Sequence, residues 1–146
     1  MENSESALQY FNSGFNCAQS VLTPFGGQSG VSEDHCLKIA CAFGAGMGRQ
    51  QQTCGAVTGA LMVIGLHFGK GKMDDNAKKI HTYEKSVEFM KAFTEKHGSI
   101  NCLELLEGLH MADPEESKEI EARELYNLRC TRYVSDAVQI IEKLIG

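Results

Sequence analysis

The sequence predicts an all-α fold, a bundle of about six to eight helices wrapped around one central apolar helix. Three observations predict it. No stretch sustains the period-two alternation of β-branched residues that marks a half-buried strand, whereas several carry apolar residues at helical spacing. The run from Ala56 to Phe68 is apolar nearly all round, as expected of a helix enclosed by others. Gly14, Pro24 with Gly26-Gly27, the Gly44–Gly48 run and Gly98 mark breaks between segments, and the connections are short. With 146 residues, and no linker, low-complexity segment or internal repeat, residues 1–146 read as one domain.

Each element has its own signal. Ala7, Leu8 and Phe11 predict a short first helix stopping near Gly14. A second runs from Cys17 to about Thr23, ended by Pro24 and the Gly26-Gly27 pair. Ser32 caps a third, with Cys36, Leu37, Ile39, Ala40 and Phe43 turned inward. Gly44-Ala45-Gly46-Met47-Gly48 breaks the chain into a flexible loop. The central helix follows, from Cys54 to about Phe68, and its Gly55, Ala56, Gly59 and Ala60 admit neighbouring backbones closely. A fifth helix spans about Asp74 to Lys96, with Ile80, Tyr83, Val87, Met90 and Phe93 as its inner face and Gly98 as its stop. A short sixth runs from Cys102 to about Glu107. Asp113-Pro114-Glu115-Glu116 opens a seventh, with Pro at the first helical position and a carboxylate at capping-box spacing. The last carries Val134, Ala137, Val138, Ile141, Leu144 and Ile145 on one face.

Charge and composition narrow the function classes. The formal net charge is −5, and no basic stripe is present to meet phosphates, so no nucleic-acid partner is expected. The apolar run is too short to span a bilayer, so no membrane association is expected. The opening Met1-Glu2-Asn3-Ser4-Glu5 is acidic and polar, unlike a signal peptide, and the expected location is cytoplasmic. The five histidines are scattered, none paired at helical spacing, and all read as surface residues, with His67 alone lying on the apolar helix. The apolar central helix leaves room for a homodimer contact.

The chemistry concentrates in cysteine. Six cysteines without an export signal indicate buried thiols, metal ligands or redox chemistry rather than a disulfide framework. No C-x-x-C occurs, so any shared site is assembled by the fold from distant positions. Cys17, Cys54, Cys102 and Cys130 each sit where a helix is expected to begin, behind Asn16, Thr53, Asn101 and Arg129. Asn16 with Gln19, and Asn101 with Glu104, have capping-box spacing. A thiolate in a first helical turn faces free N–H groups and the positive end of the dipole, which lowers its pKa. Cys36 and Cys41 are five residues apart, about 140° around a helix, and read as structural. The loop's Gly44, Gly46 and Gly48, together with Gly55, are candidates for close backbone approach to a cofactor, and Arg49 for stabilising thiolates. The loop follows a helix and lacks the Gly-Lys-Ser/Thr ending of a phosphate cradle.

The strings Gly14-Phe15-Asn16-Cys17-Ala18-Gln19, Phe43-Gly44-Ala45-Gly46-Met47, Thr53-Cys54-Gly55-Ala56-Val57-Thr58-Gly59-Ala60, Cys102-Leu103-Glu104-Leu105-Leu106-Glu107-Gly108 and Cys130 carry a resemblance. The chain resembles the redox-active family named for its C…GCAxxG…C…C pattern, from about Phe11 to Ala137. One difference is visible: the named core is Gly-Cys-Ala-x-x-Gly, whereas Cys54 precedes Gly55 here. The resemblance implies a helical domain with four functional thiols, serving redox chemistry or holding a metal or iron–sulfur centre, and a redox partner protein.

The expectation is therefore a small redox or electron-transfer protein working through Cys17, Cys54, Cys102 and Cys130. They act either as ligands of zinc or an iron–sulfur cluster, or as two exchangeable thiol pairs with Cys54 attacking. The rivals are a helical module held by a structural zinc, and a metal or sulfur carrier that docks on a partner enzyme through its glycine loop.

Overall fold

A computed structural model describes residues 2–146, and its spine is a pair of helices, α2 (Cys17–Gly26) and α4 (Gly55–Phe68), packed along their small residues. The reason is steric. A Cβ on Gly59 would stand 2.7 Å from the Ala18 carbonyl oxygen, and one on Gly55 would stand 2.9 Å from the Ala18 amide nitrogen and 3.0 Å from the Cys17 Cβ. Only glycine at these two positions lets the backbones meet. The approach brings the start of α4 against the start of α2, and both starts carry a cysteine.

The other helices enclose this pair. Among the described residues there are eight α-helices, and the fold is all-α, as the sequence predicts. Helix α1 (Asn3–Asn12) packs on α2 and on α8 (Thr131–Ile145), α3 (Glu33–Cys41) packs on α2, and α5 (Asn76–His97) packs on α4 and α8. Helix α4 is the central apolar helix, with Ala56, Val57, Ala60, Val63 and Ile64 buried. Helix α8 buries Val134, Ala137, Val138 and Ile141, as its spacing predicts. Ser32 and Asp113 cap α3 and α7 (Pro114–Ala122), and Gly98 ends α5 in the left-handed region at φ +85°.

Three details differ from the sequence reading. Helix α2 continues through Pro24 to Gly26. The lost amide costs one backbone bond, and burial of Val21, Leu22 and Phe25 on the same helix offsets it. In α3 only Cys36 and Ala40 are buried, and Ile39 is exposed. In α5 the inner face is rotated: Phe89 and Phe93 are buried, while Ile80, Tyr83 and Val87 are 55%, 61% and 60% exposed. The inner stripe is the i, i+4 series His81, Lys85, Phe89, Phe93 and His97. The ring of His81 meets Phe68 edge-on at 5.0 Å between centroids, and the Lys85 ammonium lies 5.6 Å from the centre of that same ring. A reading that counts His and Lys as polar turns the helix the wrong way, because both lay apolar or cationic surface on an aromatic ring. The same stripe carries His97 inward, beside Tyr133 and 2.9 Å from Asp136, so His97 is not the surface residue its sequence context implies.

A second, smaller core caps one end of the bundle. Leu106, Met111, Ile120 and Leu125 cluster with Cys102, drawn from α6 (Cys102–Leu105), α7 and the chain that leads into a π-helical turn, Tyr126–Cys130. The candidate site lies where this satellite core meets the bundle.

Candidate functional site

Two irregular segments build the site. The first is residues 45–51, which form a left-handed turn rather than a flexible loop. Ala45, Gly46, Met47, Gly48, Arg49 and Gln51 have φ of +52°, +68°, +68°, +59°, +65° and +54°. For a residue with a Cβ this region costs about 1–2 kcal/mol, and four of the six carry one. The turn persists because its backbone is tied down. The Gly48 amide donates to the Ala42 carbonyl at 2.8 Å, Gln51 to Ala45 at 3.1 Å and Gln52 to Gly46 at 2.9 Å. The buried Gln51 side chain then grips the satellite core: its Nε2 donates to the Leu109 carbonyl at 2.9 Å, and its Oε1 accepts from the Met111 amide at 2.7 Å. Strain held by surrounding structure in this way is a mark of functional segments.

The second segment is a lone antiparallel bridge between Thr53 and Asn101. The Cys54 amide donates to the Ile100 carbonyl at 2.8 Å, and the Cys102 amide to the Gln52 carbonyl at 2.6 Å. Along extended backbone, alternate residues share a face. Cys54 and Cys102, each one step past the bridged pair, therefore point to the same side. Too short to show a period, the bridge leaves no strand signal in the sequence.

The four cysteines share a cavity. Cys17, Cys54, Cys102 and Cys130 all line one cavity of about 460 Å³ at the junction of bundle and satellite core. Cys54 and Cys102 are buried, and Cys17 and Cys130 are partly exposed. Three of the four stand at helix starts as the sequence implies: Cys17 and Cys102 are first residues of α2 and α6, and Cys54 precedes α4. Cys130 does not, because the π turn Tyr126–Cys130 runs without a break into α8 and leaves no free first turn. The caps also divide. Asn16 and Gln19 form a complete capping box, whereas Asn101 accepts from the Glu104 amide while its own amide donates to Ser99, and Thr53 is spent on the bridge.

Electrostatics separates the thiols. Cys17 and Cys130 act on each other across the cavity. Cys17 is held well above the usual thiol range, first by the neighbouring Cys130 thiol and then by burial, while Cys130 is lowered by the Cys17 thiol. Cys54 is pushed up to about 12: burial outweighs the pull of the Ala56 and Val57 amides at the start of α4. Cys102 is likewise pushed up to about 12 by burial. The sequence names Cys54 as the attacking thiolate on the strength of its helix start, and the same geometry that supplies the amides also removes the water. The lowered thiol is Cys130.

The remaining candidates fall around this centre. Gly55 lines the cavity, and Gly44, Gly46 and Gly48 do not. The chain fills the space behind two of these: a Cβ on Gly44 would stand 2.2 Å from the Asn16 side chain, and one on Gly46 would stand 2.5 Å from the Gln51 backbone. Arg49 lines the cavity, as do Tyr126 and Tyr133, which sequence reading did not single out. The Tyr133 hydroxyl donates to the Leu105 carbonyl at 2.7 Å and so pins α6 to α8. Cys36 and Cys41 lie outside the cavity; Cys36 is buried behind Gly26, and Cys41 is exposed. His67 is exposed and His110 pairs with Glu116 at 3.0 Å.

Four soft donors around one cavity suit zinc or an iron–sulfur cluster by chemistry. Among the described residues no three Cys, His, Asp or Glu side chains are grouped closely enough to hold a single metal ion. Also among the described residues, no helix is long and apolar enough to cross a membrane.

No solved structure matches the chain. The chain is similar to an uncharacterized protein of Archaeoglobus fulgidus, 26% identical, with 96% of this chain and 93% of that protein covered. The family profile described as "Putative redox-active protein (C_GCAxxG_C_C)" matches residues 15–144, a span that contains all four cavity cysteines. The chain belongs to this redox-active C_GCAxxG_C_C family.

Proposed function

We propose that the protein is a dithiol redox protein in which Cys130 attacks and Cys17 resolves. The observation that carries this reading is that Cys17 and Cys130 line one cavity and act on each other there, with Cys17 raised and Cys130 lowered. A nucleophilic thiol must be a thiolate, and a protonated neighbour that donates to it lowers its pKa at small loss of nucleophilicity.

The reaction is thiol–disulfide exchange. The Cys130 thiolate attacks one sulfur of a disulfide substrate; a Cys130–substrate bond forms and the substrate S–S bond breaks. The first leaving thiolate takes the proton of Cys17, whose raised pKa keeps it a thiol until then. Cys17, now a thiolate, attacks the Cys130 sulfur, forms the Cys17–Cys130 disulfide and expels the second thiolate, which takes a proton from water. Two electrons pass from the protein to the substrate. Cys54 and Cys102, protonated at neutral pH, stand beside the new disulfide as reserve thiols able to exchange with it.

The test is paired. Protein purified without oxygen is assayed for iron, zinc and acid-labile sulfide, and its thiols are alkylated in a pH series and mapped by mass spectrometry. The expected result is no stoichiometric metal, with Cys130 alkylated at lower pH than Cys17, Cys54 and Cys102. Stoichiometric iron and sulfide would replace this reading with a cluster-bearing electron-transfer protein, and stoichiometric zinc with a zinc-held module. Metal-free protein in which Cys130 alkylates no earlier than its neighbours would remove the attacking role.

A further inference from the structure

We infer that the cavity takes a small zwitterionic disulfide, one bearing a carboxylate and an ammonium close to its sulfurs, with Arg49 receiving the carboxylate and Glu121 the ammonium. The inference rests on the thiol-exchange reading above and names its substrate class.

Size is the first argument. The sulfurs line a cavity of about 460 Å³, within the range of sites for small molecules. A disulfide must enter that space for its sulfur to reach Cys130, which favours a low-molecular-weight substrate over a disulfide on a folded protein surface.

Charge is the second. Around the satellite core several charged side chains are consumed in pairs: Arg123 with Glu107 at 2.7 Å and with Glu119 at 3.5 Å, Arg129 with Glu107 at 3.0 Å, Lys118 with Glu115 at 3.7 Å. Arg49 and Glu121 both line the cavity and are both exposed to solvent, yet among the described residues neither forms an ion pair, with the other or with anything else. The phenol of Tyr126 feels both: burial raises its pKa, Arg49 pulls against that rise, and Cys130, Cys102 and Glu121 add to it. A cation and a carboxylate facing one cavity without touching suit a ligand carrying both charges. A purely anionic ligand would meet Glu121, and a purely cationic one would meet Arg49.

Placement is the third. Arg49 is held at φ +65° within the tied left-handed turn, so its position is fixed at a conformational cost that an ordinary surface arginine does not bear. Leu106 and Met111 supply apolar wall for the methylenes flanking an S–S bond.

The test uses the reduced full-length protein with four probes: L-cystine, cystamine, dithiodiglycolate and bis(2-hydroxyethyl) disulfide. Each rate is divided by that probe's rate with free 2-mercaptoethanol, which removes intrinsic reactivity. The expected order places L-cystine roughly fivefold above the uncharged probe, the size of one well-used surface charge contact. Arg49→Gln should lower the normalised rate of L-cystine and dithiodiglycolate relative to the uncharged probe, and Arg49→Lys should restore much of it. Glu121→Gln should do the same for L-cystine and cystamine. Four normalised rates that coincide in the wild-type protein would overturn the zwitterion site and leave thiol exchange standing. Failure of every probe to react, with Cys130 still open to alkylation, would overturn the exchange reading and this inference together.

Discussion

The two ends of this molecule obey different rules. At the bundle end, α4 and α8 follow helical periodicity and bury their branched residues, and α5 buries Phe89 and Phe93. At the thiol end, residues 45–51 occupy a left-handed turn, residues 53 and 101 make a lone bridge, and a π turn precedes α8. The bundle end satisfies local preference and is held by packing. The thiol end violates local preference and is held by specific hydrogen bonds. The difference teaches that the stability of this chain and its chemistry reside in separate places, and that the second is positioned at the expense of the first.

The largest expected effect tests the bundle. Phe93 is fully buried against Phe89, His97 and Tyr133, so Phe93→Ala should cost about 3–5 kcal/mol, read from the urea midpoint. Val87→Ala, on the outer face, should cost under about 0.5 kcal/mol. Equal costs would mean that Ile80, Tyr83 and Val87 form a buried face in solution, either by rotation of α5 or by contact with a second copy.

Next comes the tie between the two ends. Gln51→Ala removes the donor to Leu109 and the acceptor for Met111. Leaving two such groups without partners should cost about 2–3 kcal/mol in total. The loss should be local: hydrogen exchange at Met111 should quicken while the amides of α4 stay protected. Uniform loss of protection would show that the satellite core and bundle unfold as one unit, and would weaken the contrast drawn between them.

Legibility followed the same division. The all-α class, the central α4, the Ser32 and Asp113 caps and the inner face of α8 were readable because each depends on local periodicity or a single capping side chain. The face of α5 was misread because His81 and Lys85 lean on one phenylalanine ring, a use invisible to hydrophobicity alone. At the site, the glycines flagged a break in the helix, but Ala45, Met47, Arg49 and Gln51 carry no signal for positive φ. Their conformation is imposed by bonds to residues far along the chain, Leu109 and Met111 among them. The helix-start placement of Cys17, Cys54 and Cys102 was readable, whereas the ranking of thiol pKa values was not. That ranking depends on burial and on which sulfur acts on which, and both are properties of the assembled cavity.

Alkaline pH offers a smaller, graded test. Cys54 and Cys102 rise from an ordinary 9.0 to about 12 in the folded protein, and Cys17 also rises. Above pH 9 the unfolded chain releases these protons while the folded chain keeps them, so the unfolded state binds fewer protons and stability falls as pH increases. The contribution is fully present below about pH 9 and is lost as pH rises toward about 12. Within that window each such thiol adds a slope of about 1.4 kcal/mol per pH unit. Cys54→Ala should reduce the slope by one thiol, measured from urea midpoints at successive pH values under reducing conditions. Cys130 has the opposite sign: its lowered pKa stabilises the fold above the ordinary thiol value, and the gain is lost as pH falls through the folded pKa. An unchanged alkaline slope in Cys54→Ala would mean that its sulfur is in contact with water.

The smallest effect runs against ordinary expectation and bears most directly on the strained end. Replacing a residue by glycine normally destabilises, because the unfolded chain gains freedom worth about 0.5–1 kcal/mol. Met47 is exposed and sits at φ +68°, where its Cβ costs about 1–2 kcal/mol. The second quantity exceeds the first, so Met47→Gly should stabilise the protein by about 0.5–1 kcal/mol, read as a raised urea midpoint at unchanged m-value. The same substitution at exposed Lys91, within regular α5, should have the opposite sign and about the same size. Opposite signs at two exposed positions would establish in solution that the thiol end stores backbone strain and the bundle does not. Destabilisation at both would mean that the turn relaxes out of the left-handed region, and Arg49 would then lose the fixed placement beside the cavity that its assigned role requires.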